Sequence, residues 1–147
     1  MPQGNGNLVS RFGSAKHPER PVIHARPPGA DEAAVAAAGK LSEALETVER
    51  ARGHLYSFHQ LSGHADGQLK DAVAALREAG EAEMADEVEQ VLVGRDVVAD
   101  MWTFQIVEAY DEQYWSAFRG VEEDVRQALI AGRPHVFEGE MKHREQS

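Results

Sequence analysis

Apolar residues in this chain return every third or fourth position from Leu41 onward, and nowhere do they alternate in and out as a strand requires. That period commits the chain to amphipathic helices packed on one another. Leu41, Leu45, Val48 and Leu55 mark a first stripe, with Arg52 filling the step between the last two. Leu69, Val73 and Leu76 mark a second, and Met84, Val88, Val91 and Leu92 a third. The longest holds Phe104, Val107, Trp115, Phe118, Val121, Val125 and Leu129.

Residues suited to helix ends set the boundaries. Asp31 is placed to cap the first helix, and Glu32 complements its dipole. Gly63 is expected to close that helix after Ser62. Asp66 would open a second helix ending at Gly80, and a third would end at Gly94. Asp96 or, preferably, Asp100 is the expected cap of the fourth, which stops at Gly132 because Pro134 cannot continue a helix. The expected fold is therefore all-α: a bundle of two long and two short helices, the short pair forming an antiparallel hairpin. No internal repeat or sustained heptad suggests otherwise.

The ends read differently. Residues 1–30 carry Gly4, Gly6, Gly13 and Gly29 with Pro18, Pro21, Pro27 and Pro28, which leave no room for a helix. They are expected to form a flexible, disordered basic arm. Pro18-Glu19-Arg20-Pro21 fits the PxxP pattern of polyproline ligands, and Arg11-Phe12-Gly13-Ser14 a basophilic kinase site, both common by chance. Residues 31–132 form the bundle. Residues 133–147 are expected to fray as a charged tail, with Val136 and Phe137 able to dock.

Composition removes several function classes. The chain has no cysteine, so disulfides, thiolate nucleophiles and cysteine-ligated metals are excluded. The N-terminus has neither a cationic start nor an apolar core, so no secretory signal is expected. No apolar run reaches the roughly 18–20 residues that span a bilayer, and a cytoplasmic location is the default. Net charge is −10, yet Arg11, Lys16, Arg20 and Arg26 stand against Glu19 alone in the arm. The arm is thus +3 and the rest −13, a field that repels nucleic acid and anionic lipid. Only the arm is suited to a polyanion. Walker-A, nucleophile-elbow and dinucleotide motifs are all missing.

One polar cluster stands out. Histidines fall at His54, His59 and His64. Five residues turn a helix by about 500°, so neighbours in this series point apart and do not chelate together. His59 follows Leu55 by four and extends the apolar stripe, while Glu108 and Asp111 lie on the stripe of the fourth helix. Carboxylates facing a core need a donor or cation, and His59 or His54 is the expected partner if the long helices pair. Tyr56, Gln60, Gln105, Tyr110 and Tyr114 would complete the shell. Three uses suit such a cluster: a polar network that sets helix register, a small-molecule pocket walled by Trp102, Phe104, Tyr114 and Trp115, or a divalent metal on His59, Glu108 and Asp111. Paired ExxH motifs of di-iron bundles are missing, since Asp111, not histidine, follows Glu108 by three.

The runs from Gly53 to Leu69 and from Trp102-Thr103-Phe104-Gln105 to Phe118 resemble small helical proteins of actinobacterial type. The eleven arginines against four lysines agree with such a source. The resemblance covers about residues 40–130 and implies a helical fold but no activity. The expected function is a non-enzymatic protein-interaction or assembly module, with a protein partner or a second copy. The alternative is a small-molecule or metal-binding helical-bundle enzyme that uses the His/carboxylate cluster.

Overall fold

The computed structural model describes residues 24–147. Those residues form two long and two short helices and no strand, as the apolar period requires. Helix α1 spans Glu32–Glu78 and α2 Ala82–Leu92. Helix α3 runs through Thr103–Tyr110, a π-helical turn at Asp111–Trp115, and Ser116–Ile130. Helix α4 covers Val136–Gln146. Both arm motifs, at residues 11–14 and 18–21, lie outside the described residues. None of the described helices is long and apolar enough to cross a membrane.

Two expectations about boundaries need correction. Gly63 does not end the first helix: α1 continues unbroken for 47 residues, roughly 70 Å at 1.5 Å per residue. A glycine inside a helix costs only about 1 kcal/mol, less than the contacts a continuing helix gains. Asp66 accordingly caps no helix. Its carboxylate accepts the Gly94 backbone N–H at 2.8 Å and pairs with Lys70 at 3.1 Å. Asp100 sits in the left-handed region (φ 63°), and α3 begins at Thr103, where Gln105 Oε1 accepts the Trp102 N–H at 2.9 Å. Asp31, Gly80 and Gly94 behave as read. The Ala34 N–H donates to Asp31 Oδ1 at 2.8 Å, and both glycines take positive φ just past a helix.

The chain divides into two compact units. The first combines the described part of Met1–Gly39 with Arg126–Ser147. Its core is Val35, Ala38, Ile130 and Val136, with Ala30 and Leu129 packed against it. Residues 136–146, which the sequence reading leaves as a frayed tail, are helical because Val136 is buried to 1% exposure. Gly39 permits close packing there, since a Cβ on it would lie 3.2 Å from Phe137 Cβ. Segment 24–26, assigned by sequence to the arm, is tied down. His24 Nδ1 donates to the Pro134 carbonyl at 2.8 Å, Arg133 to the Ala25 carbonyl at 2.9 Å, and Arg26 grips Glu140 through two bonds of 2.9 and 3.0 Å.

The second unit, Lys40–Val125, is built from helix pairs. Ser42 meets Glu122, Glu49 meets Trp115, Arg52 meets Asp111 and His59 meets Thr103, so α1 and α3 run antiparallel. Farther along α1, Arg77 reaches Asp86 and Glu89 of α2. Its buried apolar residues are Val48, Val73, Ala85 and Val107. All are small, and each lies on a stripe or beside one.

Candidate functional site

The predicted cluster lies within the second unit, but the structure divides it. His59 is half-buried and shares a 2.7 Å hydrogen bond, through Nδ1, with Thr103 Oγ1. The Tyr56 ring meets its edge at 5.9 Å. Asp111 is bound instead by Arg52, whose Nε and Nη2 donate to its two oxygens at 2.7 and 2.9 Å. The sequence predicts His59 or His54 as the partner of these carboxylates, and neither fills that role: His59 bonds Thr103, and His54 and Glu108 are exposed. Gln105 is used at the start of α3 rather than in a shell around His59. The physical reason is the fork of the guanidinium. It matches a carboxylate bidentately, is always charged, and reaches farther from the helix than an imidazole does.

Arg52 is the member that the stripe pattern signalled and the site reading left out. It stacks on the Trp115 ring at 4.1 Å while Arg119 approaches the ring at 4.7 Å. The indole N–H of Trp115 donates to Glu49 at 3.0 Å, and the Ser116 hydroxyl to the Asp111 carbonyl at 2.6 Å. Arg52 holds the Asp111 carboxyl below the usual carboxylate range, first through the hydrogen bonds and then through its charge. Burial pushes the Tyr110 hydroxyl up.

Asp111 and Trp115 bound the π-turn, and both meet α1. A widened turn accommodates one more residue than an α-turn, and α3 uses 20 residues, Thr103 to Glu122, to span what α1 spans in 18, His59 to Ser42. The phase of the stripe slips accordingly. Val121, expected to be buried, is 58% exposed, and its neighbour Glu122 is buried at 6%, where it accepts the Ser42 hydroxyl at 2.9 Å. The sequence shows no mark of that turn.

Chemically this ladder is a zip of satisfied polar groups. No buried side-chain polar atom among the described residues lacks a partner. Such an arrangement fixes which residues of α1 and α3 meet.

Around the ladder the unit leaves large apolar side chains in water. Leu61 is 65% exposed, Trp102 62% and Met84 56%; Tyr56, Phe58, Val91, Leu92, Val97, Val98 and Phe104 are also exposed. Trp102 and Phe104 pack on each other at 5.3 Å. The aromatic residues proposed as pocket walls thus stand at different depths: Trp102, Phe104 and Tyr114 are exposed and Trp115 is half-buried under arginines.

No family model, curated protein or solved structure matches the chain.

Proposed function

We propose that this protein is a non-enzymatic assembly module that pairs with a second copy of itself through residues 40–125. One observation carries the reading: helices paired two at a time leave Leu61, Met84 and Trp102 more than half exposed in that unit. A two-helix layer covers only one line of each apolar stripe. Two such layers face to face would bury the rest as a four-helix bundle, the commonest solution for antiparallel helices. Charge bears on the choice of partner. Two bodies of −13 repel, and the +3 arm of each copy supplies charge that suits the other's acidic surface. The placement of His59, Glu108 and Asp111 lends no support to a metal-binding enzyme at that cluster.

Sedimentation velocity on the full chain tests the proposal. A concentration-dependent dimer is expected at micromolar protein. The double variant Leu61→Glu, Trp102→Glu should weaken it by at least about tenfold, because each buried large side chain is worth about 1.5–3 kcal/mol. Reversing the arm with Arg11→Glu, Lys16→Glu and Arg20→Glu should weaken it less. A strict monomer over the whole range overturns the proposal.

A further inference from the structure

The first unit carries an open groove of about 900 Å³ lined by His24, Arg26, His135, Glu138, Glu140 and His143, among others. Nothing in the assembly reading uses it. Two of its basic residues are already neutralised: Arg26 by Glu140 at 2.9 Å, and Lys142 by Glu145 at 3.5 Å. Beside them the wall holds imidazoles, carboxylates and Arg144.

We propose that His24, His135 and Glu138 bind one divalent transition-metal ion of the zinc type. Three observations converge. Ring nitrogen and carboxylate oxygen of His135 and Glu138 lie within 4.8 Å of each other. The His24 and His135 rings are 6.1 Å apart between centroids, against about 5 Å for two imidazoles on one tetrahedral ion. Closure therefore asks for side-chain rotation that brings the His24 nitrogen toward the other two ligand atoms.

His24 is also held in one tautomer. A carbonyl only accepts, so the 2.8 Å bond to Pro134 places the proton of the neutral ring on Nδ1 and leaves the Nε2 lone pair open. An imidazole fixed this way by a backbone carbonyl is the usual support of a metal ligand. His24 is held there on both sides. Arg26 and Ala25 are tied to Glu140 and Arg133, and the chain crosses α4 at Gly139, where a Cβ would lie 3.2 Å from His24 Cβ and 3.4 Å from its carbonyl oxygen. Two imidazoles and one carboxylate suit zinc, cobalt or nickel, whereas calcium and magnesium require oxygen ligands. Three protein ligands leave a position for water.

The experiment is titration of the untagged full chain with zinc chloride, and with cobalt chloride to read the ligand field. One ion per chain at micromolar affinity is expected, with tetrahedral cobalt bands and a rise in the melting temperature of the wild-type protein that a chelator reverses. His24→Ala, His135→Ala and Glu138→Gln should each weaken binding by about tenfold or more, and His54→Ala and His64→Ala should leave it unchanged. Gly139→Ala keeps all three ligands but displaces His24, and should weaken binding too. No saturable binding by the wild-type chain, or binding lost in the His54 and His64 variants but kept in the other three, overturns the site. The wild-type melting shift depends on no variant folding, and sedimentation of metal-free protein reports assembly separately.

Discussion

The two units handle apolar surface in opposite ways. In residues 24–39 and 126–147, short stretches of chain enclose Val35, Ala38, Ile130 and Val136 and leave each at 4% exposure or less. In Lys40–Val125 longer helices bury only Val48, Val73, Ala85 and Val107, and keep larger residues such as Leu61 and Trp102 in water. A core needs walls on several sides. Length alone does not provide them: a helix paired with one neighbour shields one line of its stripe, however far it runs. The unit with the shorter helices encloses its own core and, among its described large apolar residues, leaves only Phe137 and Met141 near 40% exposure. The unit with the longer ones is open to a partner.

The largest effect expected from this contrast is at Val136. Val136→Asp puts a carboxylate among apolar neighbours at a site with 1% exposure, at a cost of at least about 3 kcal/mol. Amide exchange should accelerate throughout 32–39 and 126–146 and much less at 48–60. Equal acceleration in both regions would erase the distinction between the units. Leu61→Glu with Trp102→Glu makes the opposite test. If these residues serve only a partner, the double variant loses dimer without loss of helix content, whereas a drop in helicity would show that they stabilise the fold of one chain.

Asp111 tests what joins α1 to α3 in the unit with little buried apolar area. Its carboxyl lies below the ordinary range because Arg52 binds the charged form. A depressed folded value means that the stabilisation is complete above the unfolded value of about 4 and is lost as the pH falls through the folded one. Asp111→Asn should therefore melt below wild type at neutral pH, by less than the Val136 variant. The two melting curves should converge as the pH drops below about 4. A constant gap across that range would mean that shape and stacking on Trp115, rather than charge, hold the pair.

The sequence carried the all-α class, because period and punctuation agree over most of the chain. Asp31, Gly80, Gly94 and Pro134 each act through their own backbone or a near neighbour, and such effects are readable locally. The candidate site was less legible. Asp111 was recognisable as a carboxylate on an apolar stripe, yet its partner depended on which α1 residue lies opposite, and the π-turn at Asp111–Trp115 alters that register without a sequence signal. The same slip hid Glu122. His24 sits in a proline-rich stretch and is positioned by Pro134 and Gly139, more than a hundred residues away.

The smallest expected effect concerns Gly63 and Gly67, and it separates two readings of the same residues. Had Gly63 closed a helix, it would hold a left-handed backbone, and alanine there would cost stability. In the structure both glycines lie inside α1, and a Cβ on either meets nothing within 4 Å. Alanine then adds no clash and removes the entropic penalty of glycine in a helix, roughly 0.5–1 kcal/mol at each position. Gly63→Ala and Gly67→Ala should each raise the midpoint of urea unfolding slightly, and together nearly additively. Residues 40–78 of α1 belong to the unit that leaves its apolar face open, so an uninterrupted helix there is what a second copy would need to lie along. Destabilisation by either alanine would restore the break after Ser62, shorten the helix, and remove that extended face from consideration as the surface of assembly.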